Sequence, residues 1–297
     1  MANPHHIPVL TAETMGYLVP ESGGVFVDCT VGAGGHAQAL MESGATRLLG
    51  FDRDPQALVH AAEALAAWRD QVQLLHADFR DLASVLDDRG VATIDGAVAD
   101  LGVSSMQLDG VERGFSFRRD EPLDMRMDQS TGATAAELIR DISEQDLADL
   151  IFKYGEERHS RRIARAIVDT RRETPVHTTG QLAAIVRRAM PKRGWQRIDP
   201  ATRTFQAIRI WVNQELDGLE RALEVICRRL RGGARVVVIT FHSLEDRIVK
   251  HTFRALERGG KVAIRVLTKR PVIPEDEEVE RNPRARSAKL RVAERVA

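Results

Sequence analysis

Four short segments in the first hundred or so residues carry groups that could together grip an adenosine-containing ligand. Gly32, Gly34 and Ala37 follow Asp28 in the string Asp28-Cys29-Thr30-Val31-Gly32-Ala33-Gly34-Gly35-His36-Ala37, a G-x-G-x-x-G/A pattern. Glycines there let a backbone turn tightly and approach a ligand closely, which serves a dinucleotide and S-adenosylmethionine equally well, and a plain strand-to-helix turn reads the same way. Twenty residues after Gly32 comes Asp52, whose carboxylate can accept both ribose hydroxyls. Nicotinamide enzymes share that feature. The string His76-Ala77-Asp78-Phe79 then offers an acid for an adenine amino group and an aromatic for its face, and Asp100-Leu101-Gly102-Val103-Ser104-Ser105-Met106-Gln107 follows a fourth strand-like run. Asp28 suits an ammonium group, which wants carboxylates nearby. Asp52 and Asp78 also read as helix N-caps and Phe79 as core, but four strand ends bearing suitable groups together favour a methyl-donor site.

Strands must present these residues. Apolar runs at Val25–Cys29, Leu48–Phe51, Val72–His76 and Ile94–Ala99 recur about every 20 residues with helical stretches between, the βαβ rhythm of a parallel sheet. Continuous hydrophobicity in Ala97-Val98-Ala99 and Val236-Val237-Val238-Ile239 predicts an α/β fold with both sheet faces covered. The rhythm stops near Leu101, and from Thr134 to Arg188 the spacing turns helical, as in Leu147, Leu150, Ile151 and Tyr154, which predicts an inserted helical subdomain. Strand character resumes at Arg235–Phe241 after Gly232-Gly233, a pair suited to the left-handed turn that ends a helix. It continues through Lys261–Leu267 and Lys289–Val292, with Pro271, Pro274 and the acidic run Glu275–Glu280 expected as an exposed loop between.

Charge and composition narrow the class. Residues 1–120 carry 8 Lys/Arg against 17 Asp/Glu, whereas residues 153–209 carry 14 against 5, so a net charge of zero conceals a basic region fit for a nucleic-acid partner. Arg158, Arg161, Arg162, Arg165 and Arg172 have the spacing of a basic helical stripe opposite Ile163 and Ile167. Arg187, Arg188, Lys192, Arg193 and Arg197 extend it, with the Trp195 indole available to stack on an unpaired base. A solvated face paired with Glu156 and Glu157 is the plainer alternative. Two cysteines, Cys29 and Cys227, supply neither a disulfide framework nor a Cys-based zinc site, and no dedicated metal cluster is visible. With no signal peptide and no membrane-length apolar run, a cytoplasmic protein without a membrane partner is expected.

Longer strings are more particular. Asp100-Leu101-Gly102-Val103-Ser104-Ser105, Arg113-Gly114-Phe115-Ser116-Phe117, Pro122-Leu123-Asp124-Met125-Arg126-Met127-Asp128, Tyr154-Gly155-Glu156-Glu157-Arg158, Phe241-His242-Ser243-Leu244-Glu245-Asp246-Arg247 and Asn282-Pro283-Arg284-Ala285-Arg286-Ser287 run through the chain. With them the sequence resembles the ribosomal RNA small subunit methyltransferase H family, the bacterial 16S rRNA cytosine-N4 methyltransferases. That resemblance implies a class I, Rossmann-like S-adenosylmethionine-dependent core over 1–108 and 205–297 with an all-helical substrate-recognition insert over 109–204. It implies methylation of the exocyclic N4 of one cytidine in the decoding region of 16S rRNA, within the small ribosomal subunit, and leaves a homodimer open. The family's cofactor positions fall on Gly34, Gly35, His36, Asp52, Phe79, Asp100 and Gln107.

The cytosine amino group is a poor nucleophile, so a catalyst must orient it and accept its N–H hydrogen bonds. Asp100 and Ser104 after the fourth strand, with Phe241, His242 and Ser243 after the fifth, are the candidates for contact with the base; Asp100, Ser104, His242 and Ser243 are those assigned to chemistry. His242 also reads as a polar residue at a helix start, Ser243 as an N-cap with Asp246 at N3, and Asp246-Arg247 as an ion pair. Carbon-5 methylation would need a Cys nucleophile, and Cys29 in a strand and Cys227 in a helix are not placed for it. A nicotinamide-dependent oxidoreductase and a catalytically silent RNA-binding assembly factor are the competing readings.

Overall fold

The computed structural model describes residues 8–191, 198–260 and 262–296. The chain divides into two compact units, one holding the chain up to Gly102 and from Leu216 onward, the other Val103–Glu215, against an expected insert of 109–204.

In the first unit α1 (Thr11–Leu18), β1 (Val25–Asp28), α2 (Gly35–Glu42), β2 (Arg47–Asp52), α3 (Pro55–Ala64), β3 (Val72–His76), α4 (Leu82–Asp88) and β4 (Ile94–Asp100) follow in order. After the second unit come α11 (Leu219–Arg229), β5 (Leu230–Thr240), α12 (Ser243–Gly259), β6 (Ile264–Val266), α13 (Asp276–Arg281) and β7 (Lys289–Arg295). Among the described residues the strands form one sheet in the order β3-β2-β1-β4-β5-β7-β6, parallel except where β7 runs antiparallel to β5 and β6. Side chains alternate across the pleat, and both sets are buried. Val27, Leu49, Ala97, Ala99, Val236 and Val238 join one core cluster; Phe26, Leu48, Val98, Val237 and Ile239 join the other. This is why these strands read as unbroken apolar runs.

Three local expectations change. The helix before β5 ends at Arg229 without the glycine pair, and Gly232-Gly233 instead belong to the strand. There Leu230 pairs with Ile94 but Arg235 with Gly96, so the extra residues loop out as a bulge with Gly233 at φ 83°. The acidic run is partly helical, forming α13, and Glu278 Oε1 accepts from the Leu10 N–H at 2.8 Å. The Lys261–Leu267 segment is strand only over Ile264–Val266, and Lys261 lies outside the described residues.

The second unit contains α5 (Ser105–Asp109), α6 (Ala135–Asp141), α7 (Glu144–Gly155), α8 (Ser160–Glu173), α9 (Thr179–Ala189) and α10 (Ala201–Asn213), with a core that includes Leu147, Ile151, Ile163, Ile167, Leu182 and Ile208. Thr134 and Thr178 start α6 and α9 with capping boxes closed by Glu137 and Gln181. The irregular stretch between α5 and α6 is held from α10: Asn213, 3% exposed, donates to the Met125 and Arg209 carbonyls at 2.7 and 2.9 Å and accepts from Met127 N–H at 2.8 Å. These bonds secure Met125 in the left-handed region at φ 62°.

Candidate active site

The strand order reverses between β1 and β4, and in open α/β sheets the crevice beyond the carboxyl ends at such a point is where ligands bind. Asp28 and Asp100 are the last residues of those two strands, and Asp52 is the last of β2. Thr30 stitches the ends together. Its N–H donates to Asp28 Oδ1 at 3.1 Å, and its hydroxyl oxygen accepts from the Asp100 N–H at 2.8 Å.

Behind this turn the glycines do different work. Gly34 adopts φ 91° as the N-cap of α2, and a Cβ on it would lie 3.3 Å from Ala61 Cα of α3. On Gly35 a Cβ would meet Pro8 Cγ at 2.9 Å. Internal packing therefore demands both. Gly32 is different: at φ 52°, the nearest atom to an added Cβ is the Thr30 carbonyl oxygen, 3.9 Å away. Open space beside a glycine in the left-handed region is where a ligand can approach the backbone.

Helix α2 brings His36, 5% exposed, to 3.6 Å from Asp100, Nε2 to Oδ2, an ionic contact too long for a hydrogen bond. Both His36 nitrogens, Asp28 Oδ2 and Asp100 Oδ1 are buried without hydrogen-bond partners in the protein. Burial pushes the Asp28 carboxyl up to about 7, against the lowering effect of His36 and the Thr30 N–H. Burial pulls the His36 imidazole down, but the Asp100 carboxylate, helped by Asp28 and Glu278, outweighs it and holds the ring above its ordinary value. Buried polar atoms are normally paired. Several orphans at one strand-end junction make it a candidate place for a charged ligand to complete the set.

Asp52 is also raised by burial, to about 6, while its Oδ2 accepts from the Gly32 N–H at 2.8 Å and its Oδ1 from the Asp54 N–H at 2.9 Å. The Arg53 N–H is a third backbone donor to this carboxylate, and with about four lone-pair sites a carboxylate so held can still accept from a ribose hydroxyl. The N-cap of α3 is Asp54, not Asp52. Asp78 does not fit the adenine role expected of it. It caps the 3-10 turn at Phe79–Asp81 and is gripped by Arg80 at 2.6 Å and Arg53 at 3.3 Å, cations that outweigh burial and hold its carboxyl below the usual range. Phe79 is half-buried, packed against one core cluster.

Beyond β5, His242 rather than Ser243 is the N-cap of α12: Glu245 N–H approaches His242 Nδ1 at 3.4 Å, and Glu245 Oε2 accepts from Phe241 N–H at 3.0 Å. Asp246, expected beside Arg247, pairs instead with Arg291 at 2.6 Å and Lys289 at 3.6 Å, which together outweigh burial and keep its carboxyl low. The strand end holding Arg291 comes from far along the chain, so the local string gave no signal of this pair.

Ser104 and Gln107 belong to the second unit, where they form a capping box on α5: Ser104 Oγ accepts from Gln107 N–H at 3.2 Å and Gln107 Oε1 from Ser104 N–H at 3.0 Å. In the same unit Arg158 precedes α8 rather than sitting on it, so the helical stripe is Arg161, Arg162, Arg165 and Arg172, all exposed, with Ile163 and Ile167 buried opposite. Asp169 lies 3.8 Å from Arg165 and 3.3 Å from Arg172; Glu157 faces Arg203 rather than the stripe, at 3.7 Å. Arg187 is held by Asp199 at 2.8 Å. Trp195, with Lys192, Arg193 and Arg197, lies outside the described residues. No described helix is long and apolar enough to cross a membrane.

A sequence profile of the MraW methylase family matches residues 3–296. The chain belongs to the MraW methylase family. Curated relatives span its full length. The protein named "Ribosomal RNA small subunit methyltransferase H" from Geotalea uraniireducens (strain Rf4) is 49% identical over 312 residues, covering 100% of both chains. That of Trichlorobacter lovleyi, with the same name, is 50% identical over 308 residues and 98% of each. A crystal structure of an rRNA methylase from Streptococcus thermophilus aligns over 95% of both chains at 12% identity, with a TM-score of 0.43.

Proposed function

We propose that this protein transfers a methyl group from S-adenosylmethionine to the exocyclic N4 of a cytidine in 16S rRNA, acting on the small ribosomal subunit in the cytoplasm. The observation that carries the reading is the set of buried, partnerless polar atoms on Asp28, His36 and Asp100 at the adjoining ends of β1 and β4. They fit the charged methionine end of that cofactor, Asp28 toward its ammonium group; Asp52 fits the ribose, Phe79 the adenine face, and the Gly32–Gly35 turn brings backbone close. Gln107 is carried here from the family resemblance. When bound, S-adenosylmethionine supplies a methyl group on a positively charged sulfonium.

The protein's own task is to orient the amino nitrogen and dispose of its proton. Asp100 is the residue best suited to both. Oδ1 has no partner in the protein and can accept an N–H hydrogen bond, which stiffens the nitrogen's approach as its lone pair leaves conjugation with the ring. When N4 gains its methyl group it must lose a proton, and Asp100 Oδ1 takes it, with the His36 ring 3.6 Å from Oδ2 stabilising the carboxylate beforehand. Ser104 is occupied as a cap, Ser243 follows the cap on α12, and His242 caps α12 through Nδ1 while its buried Nε2 makes no hydrogen bond within the protein. The exposed arginines Arg161, Arg162, Arg165 and Arg172, with Arg158 ahead of them, are proposed to contact RNA phosphates, as is Trp195 to contact a base.

The test is incubation with labelled S-adenosylmethionine and small subunits lacking the modification, followed by nuclease digestion and mass spectrometry of the nucleosides. N4-methylcytidine is the expected product. Label on another atom would refute the substrate assignment, and bound cofactor without transfer would favour a silent assembly factor.

A further inference from the structure

Helix α12 carries a cationic face of its own, wholly within the strand-bearing unit. At a helical turn of about 100° per residue, Arg247, His251, Arg254 and Arg258 fall within about 60° of one another, and Lys250 lies about 40° beyond them. The four are exposed and Lys250 is half-buried, while Val249, Phe253 and Leu256 are buried on the other side. The arrangement is costly for an isolated helix, because Lys250 and Arg254, and Arg254 and Arg258, stand four residues apart, where like charges repel.

Helix α11, which packs against α12, has the arginines of its last turn paired with acids: Arg228 with Glu224 one turn earlier, and Arg229 with Asp87. The acids of α12 are engaged elsewhere. Glu245 is buried in the cap, Asp246 ties Arg291 and Lys289, and Glu257 accepts from the Val266 N–H at 2.8 Å. The helix dipole favours Arg258 in the last turn, but that effect fades within a turn and does not reach Lys250.

We propose that this face of α12 binds the phosphate backbone of the RNA substrate, as a contact additional to the arginines of α8. The proposal rests on the RNA reading given above. Lys250, Arg254 and Arg258 extend along about 12 Å of helix, a length over which a nucleic-acid strand presents more than one phosphate. A membrane surface would need the apolar side of the helix, and that side is buried in the core.

The full-length protein and its Lys250→Gln/Arg254→Gln/Arg258→Gln variant are titrated with unmodified small subunits over about 50 to 300 mM KCl. The variant is expected to bind about tenfold more weakly near 100 mM, with the slope of log K against log salt shallower by about two. KM for subunits rises while kcat at saturation, S-adenosylhomocysteine affinity and thermal stability hold. Arg254→Lys/Arg258→Lys keeps the wild-type slope. A triple variant with wild-type slope and affinity overturns the proposal while leaving the methyltransferase reading intact, as does a loss confined to binding of phosphatidylserine vesicles. A wild type that methylates no RNA and binds subunits without salt dependence defeats both.

Discussion

Two regions of the molecule, the stretch held by Asn213 and the adjoining ends of β1 and β4, treat their buried polar groups differently. In the unit Val103–Glu215, Asn213 uses its amide on Met125, Met127 and Arg209, and Asp124 is closed on Arg126 at 2.8 Å, so these groups are spent on fixing irregular backbone. At the ends of β1 and β4, Asp28 Oδ2, Asp100 Oδ1 and the His36 ring are equally hidden and have no partner in the protein. Satisfied networks build a scaffold; unsatisfied ones are held open at a cost that a ligand can offset. That contrast is why the chemistry is proposed at the ends of β1 and β4.

Removing the acid on the unsatisfied side should have the largest effect. Asp100→Asn keeps shape but cannot take a proton, and kcat for methyl transfer should fall about 10²–10⁴-fold, measured in single-turnover assays. A change under tenfold would mean that the amino group is oriented elsewhere. On the satisfied side, Asn213→Ala should leave the strand-end site unaltered but strand the Met127 N–H and the Met125 carbonyl, costing about 2–5 kcal/mol in denaturant unfolding. Hydrogen exchange should place the lost protection around Met125 and Met127.

A smaller effect follows from Asp28. Its folded pKa, about 7, lies above that of the unfolded chain, so its contribution to stability is complete below about pH 4 and is lost as pH rises toward 7. Without cofactor, Asp28→Asn should therefore gain about 1 kcal/mol relative to wild type between pH 6 and pH 8, followed by thermal melts. No pH dependence in that difference would mean that Asp28 is already charged and paired.

Much of this was legible in the sequence. Strands buried on both faces announce themselves as apolar runs, so β1 to β4 fall within a residue or two of their expected bounds, and Asp28, Asp52 and Asp100 fall at strand ends as read. What escaped depended on side-chain partners and local turns that residue type and spacing do not declare. Asp78 read as a ligand for adenine because nothing local says that Arg80 folds back on it while Arg53 joins from the preceding loop. Asp246 read as a partner for Arg247 because Arg291 and Lys289 arrive on an antiparallel strand. The cap of α12 shifted by one residue because an imidazole nitrogen can accept as a serine hydroxyl does. Arg158 matched the helical spacing of its neighbours, yet Glu156 turns left-handed at φ 50° and α8 begins only at Ser160.

The most direct test of the account is calorimetric titration of S-adenosylmethionine into the wild-type protein and into Asp28→Asn and His36→Ala variants at pH 7.5. The account predicts one site per chain in the wild type, with affinity at least tenfold weaker in each variant and no loss of folded structure. Equal affinity in all three proteins would contradict it, because the partnerless groups at the ends of β1 and β4 would then have no part in holding the methyl donor.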